Sequence, residues 1–123
     1  MSPQLAFTSA VVVNKIPVQT NTDQPPVSDE GARLATLIQF IAAGDQQALG
    51  DLYDTTSPHV YGLALRILGE TAAAEDVVIE VYIQVWTQAG SYDAQRGSVV
   101  SWLLTRTRSR AIDLLRSRSR TTV

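Results

Sequence analysis

The sequence contains no cysteine, so neither a disulfide framework nor a thiolate metal site is open to it. That composition suits a reducing cytosol, and a cytoplasmic location is expected. Histidine occurs once, as His59 beside Pro58, where a lone imidazole is far more often a cap or surface residue than a general base. No glycine-rich phosphate loop, nucleophile elbow or pair of metal ligands at usable spacing is present. The sequence is therefore not expected to encode an enzyme, and no cofactor or metal is called for. No apolar run approaches the roughly 20 residues that a membrane-spanning helix needs. The apolar stretch over residues 5–13 lacks a basic leader, which argues against a signal peptide.

What is present is 123 residues, 45% of them apolar and 18% charged, enough for one domain with a modest core. The net charge of −2 conceals a strong polarity along the chain. Residues 1–95 hold 3 basic and 11 acidic side chains, a balance of −8. Residues 96–123 hold 7 arginines against the single acid Asp113, a balance of +6. Such a division predicts two faces with different partners.

Residues 1–30 carry four of the five prolines among many polar residues and are expected to form a mobile tail. Helical periodicity begins at about Gly31, with Leu34, Leu37, Ile38 and Ile41 on one stripe. Gly44 followed by Asp45 predicts a helix stop and a new N-cap. The next helix is expected to break at residues 55–58, because an interior proline removes a donor and clashes with the preceding turn, and to restart at Pro58. After Gly69, Thr71 is the expected N-cap of a helix reaching Gln88, with Val77, Val78, Val81, Tyr82, Val85 and Trp86 on its apolar side. A loop over residues 89–97 precedes a last helix over residues 98–116, with Val99, Trp102, Leu103, Ile112 and Leu115 as expected core and the turns beyond Arg116 fraying. The expected fold is all-α, a compact bundle of four or five helices over residues 31–120, with a frayed end at residues 121–123.

Two charged clusters and one loop are candidates for function. Asp76 and Glu80 lie one helical turn apart, beside Glu75, on a face away from the valine stripe. That face suits a basic partner surface, and it equally suits solvent, with Glu75 and Asp76 favoured by the dipole near a helix start. Arg106, Arg108, Arg110, Arg116, Arg118 and Arg120 cannot all share one helical face, so several point outward. Arginine favours planar, bidentate contact with phosphates, which puts nucleic acid ahead of a merely soluble helix end. The loop over residues 91–98, with Tyr92, hydroxyls and amides, suits an unstacked base. Tyr92 packed onto the domain edge is an equally simple fate.

Taken in order, these segments resemble a family. Gly44-Asp45-Gln46-Gln47-Ala48, Leu52-Tyr53-Asp54 and Ala64-Leu65-Arg66-Ile67-Leu68-Gly69 are similar to the opening helices of extracytoplasmic-function sigma factors. Residues 74–82, with Trp86, resemble their core-polymerase-binding helix, and residues 92–99, 101–104 and 110–116 resemble the segment that recognises and melts the minus-ten promoter element. The resemblance covers residues 34–120. It implies that Glu75, Asp76, Ile79 and Glu80 dock on the clamp coiled coil of the polymerase largest subunit. It implies further that Tyr92, Arg96, Ser98, Arg106, Ser109, Arg110 and Arg116 contact the non-template strand of promoter DNA, with a flipped base held by the loop over residues 92–98. Anti-sigma factors commonly hold members of this family, so a helical interaction module or decoy bound by such a factor is the alternative reading, and a general single-strand binder is a third.

Three features depart from the family pattern. Ile79 stands where glutamine is usual, Ser109 where asparagine is common, and Arg106-Thr107 where an apolar residue and alanine are common. These changes predict altered docking and altered base preference. The family's second domain, which reads the minus-thirty-five element, has no counterpart before Val123, so this chain is expected to be a trimmed portion of a longer protein.

Overall fold

A computed structural model describes residues 29–121, and the expected tail falls almost wholly outside the described residues. Four α-helices follow one another: α1 (Asp29–Ala42), α2 (Gln46–Leu68), α3 (Thr71–Gln88) and α4 (Val99–Thr121). Two short 3-10 turns, Ala89–Ser91 and Ala94–Arg96, connect α3 to α4. The described residues thus form an all-α bundle, as their periodicity predicts.

Local chemistry sets most of the helix ends. Asp29 and Glu30 occupy the first turn of α1, where the helix dipole favours carboxylates, so α1 starts two residues before Gly31. Gly44 takes φ 96°, and Asp45 then caps α2 by accepting from the amides of Gln47 (2.9 Å) and Ala48 (3.2 Å). Gly69 ends α2 in the left-handed region at φ 71°, its amide donating to the Leu65 carbonyl. The cap of α3 is Glu70 rather than Thr71, with no side-chain bond to the helix start. Its carboxylate instead accepts from Arg118 of α4.

Pro58 does not break α2, contrary to the sequence expectation, and the helix is continuous through it. Tertiary packing holds the segment: Thr56 is buried, donates to the Leu52 carbonyl at 2.7 Å and shares a 2.5 Å hydrogen bond with the Tyr82 hydroxyl of α3. Val60 and Ala64, on the following turns, are fully buried. Pro58 itself is exposed, and burial of Thr56 and Val60 on the inner side of its turn offsets the roughly 3 kcal/mol that an interior proline costs.

The valine-rich helix is central. Ala74, Val77, Val81 and Val85 face the interior together with Val78 and Tyr82, packing against α2 and α4. The buried stripe of α4 is Val99, Leu103, Thr107 and Ala111. Leu115, expected in the core, is 39% exposed, and Ile112 and Trp102 are only partly covered. Thr107 and Ala111 take their place because small side chains let α4 lie close to its neighbours; Thr107 satisfies its hydroxyl on the Leu103 carbonyl at 2.8 Å. The turns after Arg116 remain helical to Thr121 instead of fraying. Arg118 on Glu70 ties that end of α4 back to the start of α3. Among the described residues no helix is long and apolar enough to cross a membrane.

Candidate nucleic-acid interface

The connection between α3 and α4 is built from short-range hydrogen bonds. Ser91 Oγ donates to the Gln88 carbonyl at 2.8 Å, and the Tyr92 amide closes the first turn on the Ala89 carbonyl. Asp93 caps the second turn by accepting from the Gln95 amide at 2.9 Å. Gly97 adopts φ 145°, a conformation that side chains other than hydrogen rarely allow. Its carbonyl accepts from the Tyr92 hydroxyl at 2.8 Å, which closes the loop on itself. Ser98 then caps α4, its Oγ accepting from the Ser101 amide at 3.1 Å.

This closure sets Tyr92 on the domain edge, edge-on to Trp102 with ring centroids 5.4 Å apart. Trp102 in turn carries the Arg106 guanidinium 4.5 Å above its ring, a cation–π contact. Arg106 Nη1 donates to the side-chain oxygens of Gln88 (2.7 Å) and Gln84 (3.2 Å) on α3. Its Nε is buried without an acceptor, and burial lowers the guanidinium pKa from its ordinary value. Burial, with Asp93 nearby, raises the Tyr92 pKa. Around this stack opens a cavity of about 380 Å³, lined by Tyr92, Asp93, Arg96, Ser98, Trp102 and Arg106 among others. Aromatic faces, a planar cation and hydroxyl-bearing edges are what an unpaired nucleobase needs.

The DNA candidates divide. Tyr92, Arg96, Ser98 and Arg106 meet around that cavity. Ser109 and Arg110 lie further along α4, beyond Arg106. Arg116 is exposed ten residues on from Arg106, about 15 Å along the helix axis. Arg110 is already engaged: its Nε and Nη2 donate to Glu80 Oε1 at 3.0 and 2.8 Å.

The polymerase candidates Glu75, Asp76, Ile79 and Glu80 are all exposed on α3. Ile79 is 58% exposed, and Ile83, one turn on, is 59% exposed. Beside them an apolar groove of about 610 Å³ is lined by Leu49, Tyr53, Ile79, Tyr82, Ile83 and Trp86. Tyr53 closes edge-on against Tyr82 at 5.0 Å. Sequence reasoning missed Ile83 and Tyr53, although two isoleucines four apart and off the valine stripe were the available signal. It also missed Gln84 and Gln88, again four apart, and assigned Trp102 to the core.

One small helical domain thus carries an arginine- and aromatic-lined cavity at one edge and an acidic, partly apolar helix face. Residues 52–121 match the sigma-70 region 2 family. The chain belongs to that family, in its extracytoplasmic-function branch, and sigma factors are not enzymes. It is 38% identical over 95 residues to the ECF RNA polymerase sigma factor SigK of Mycobacterium tuberculosis (strain ATCC 25618 / H37Rv), covering 77% of this chain and 49% of that protein. It is 40% identical over 96 residues to SigK of Mycobacterium ulcerans (78% and 50%), and 42% identical over 84 residues to SigK of Mycobacterium sp. strain KMS (68% and 44%). The chain spans about half the length of these curated relatives.

Proposed function

We propose that this domain docks on core RNA polymerase through the exposed face of α3 and captures an unpaired base of the promoter minus-ten element beside Tyr92 and Trp102. The observation that carries this reading is the presence, on one bundle, of both surfaces. Asp76, Ile79, Glu80 and Ile83 form an acidic and apolar stripe that suits a basic helical partner. The 380 Å³ cavity, lined in part by the exposed Arg96 and by Arg106, suits a single strand and its phosphates. A generic single-strand binder has no use for the first surface. Strand opening then follows from capture of bases once unstacked, with no covalent chemistry performed by the domain. The work is placed in the cytoplasm, where the polymerase and its template are.

The test is binding of the chain to core polymerase, alongside the double variant Asp76→Ala/Glu80→Ala. Affinity is expected to fall about tenfold or more while the thermal midpoint stays nearly unchanged, because the one ion pair removed, Glu80 with Arg110, is solvent-exposed. Equal binding by the two proteins overturns the docking face. A second reading, an interaction module held by an anti-sigma factor, is favoured by the apolar groove at Tyr53, Ile83 and Trp86, which suits any protein partner. A folded chain that binds neither polymerase nor single strands leaves that reading in front.

A further inference from the structure

Beyond the cavity at Tyr92 lies a second one of about 470 Å³, lined by Gln84, Ser109, Arg110 and Asp113 together with Trp102, Thr105 and Arg106. The last three residues line both cavities, so the Trp102–Arg106 stack is the wall between them. We propose that the second cavity is a subsite for a second nucleobase of the same strand, one that carries an exocyclic amine beside a ring acceptor, as cytosine and adenine do. This inference rests on the reading of the first cavity as a base pocket.

At about 30 Å³ per water, each cavity has room for more than ten waters, enough to admit a planar heteroaromatic ring. The wall offers flat surfaces, an indole and a guanidinium held in place by Gln84 and Gln88. Bases stack on such surfaces without regard to sequence. Selection comes from the rim. Asp113 is exposed, makes no ion pair among the described residues, and is the only acid in the arginine-rich end of the chain. Its carboxylate accepts from an exocyclic amine, as acidic side chains do with the cytosine amino group. Ser109 supplies a hydroxyl for the neighbouring ring nitrogen, and Gln84, whose oxygen is taken by Arg106, presents its amide donor. Keto-edged thymine lacks the amine and leaves the Asp113 carboxylate unpaired.

The experiment is fluorescence anisotropy of the full chain with labelled single strands of oligo(dC), oligo(dA) and oligo(dT), at fixed salt. The amine-bearing strands are expected to bind about tenfold more tightly than oligo(dT). Ser109→Trp fills the second cavity from an exposed position and is expected to abolish the difference between the strands. Asp113→Asn, which keeps size and fold, shifts preference toward oligo(dT). Discrimination that survives both substitutions overturns the subsite while leaving the first cavity standing. Failure of the folded wild-type chain to bind any of the three strands overturns the base-capture reading itself, and the subsite with it.

Discussion

Arg106 is the residue at which stability and binding separate most cleanly, and Arg106→Ile is the substitution that separates them. The wild-type side chain makes a cation–π contact with Trp102, at about 0.5–1 kcal/mol for a partly exposed pair. It also donates to Gln84 and Gln88, each hydrogen bond contributing about 0.5–1.5 kcal/mol net. Gln88 is exposed and Gln84 half-buried, so both amides recover water when the guanidinium is gone. Against this stands the Nε, buried with no acceptor, at a cost of about 1–3 kcal/mol. The opposing contributions cancel to within about 3 kcal/mol, which for a domain of this size is a shift in thermal midpoint of less than about 25 °C in either direction. Binding behaves otherwise. Removing one stacking surface from a base costs about 1–3 kcal/mol, so affinity for a single strand falls about fivefold or more. Circular dichroism melting and fluorescence anisotropy on the same preparations read the two quantities. Loss of the fold would show that Arg106 is a structural keystone, and single-strand affinity within twofold of wild type would remove it from the interface.

Two further perturbations follow from the ion pair and the buried hydroxyls. Glu80→Gln releases Arg110 from its partner, and the free chain is expected to bind single strands more tightly, with a salt dependence steeper by about one phosphate contact in a titration of affinity against salt. Burial in the core pushes the Tyr82 pKa up to about 12, with Tyr53 adding to the rise and the Thr56 hydrogen bond opposing it. Folded protein therefore holds that proton more tightly than unfolded protein. Stability is intact below about pH 10 and declines by up to about 1.4 kcal/mol per pH unit from Tyr82 as pH rises towards 12. Tyr82→Phe is expected to flatten this decline in denaturant melts across the window, leaving a smaller residue of the same sign from Tyr92.

What was legible in the sequence was local. Gly44 and Asp45 announce a stop and a cap because both effects act within three residues, and the capping bonds to Gln47 and Ala48 are made. The valine stripe of α3 was equally plain, since Val77, Val81 and Val85 repeat at the helical period. Pro58 misled because the fate of an interior proline depends on distant contacts: the Thr56–Tyr82 hydrogen bond spans 26 positions. In α4 the alternating arginines hide the buried stripe, and Thr107 and Ala111 carry too little hydrophobicity to reveal it beside Ile112 and Leu115. The candidate site was legible as a set of residue types in an order, with the loop at Tyr92 and the acidic turn of α3 both visible. The contacts that join them were not, because Arg106 reaches back 18 and 22 positions to its glutamines, and Arg110 reaches 30 to Glu80.

That last contact bears on how two surfaces on one small domain act together. Glu80 belongs to the stripe proposed to meet the polymerase, and Arg110 lines the cavity proposed to hold a base, so one exposed ion pair has an end in each. A basic partner surface that takes Glu80 competes with Arg110 and releases its guanidinium beside the strand. The pair is worth no more than about 1 kcal/mol in solvent, which limits the coupling to about fivefold. Linkage is reciprocal, so a strand that engages Arg110 raises the affinity of Glu80 for a basic partner by the same factor. A coupling of that size is too weak to act as a switch on its own. It is large enough to make the free domain a poorer strand binder than the docked one, and opposite charge on adjacent helices is sufficient to produce it. The division of the sequence into an acidic and a basic portion then has a physical role within the folded domain, because α3 and α4 bring the two portions into contact at Glu80 and Arg110 and again at Glu70 and Arg118.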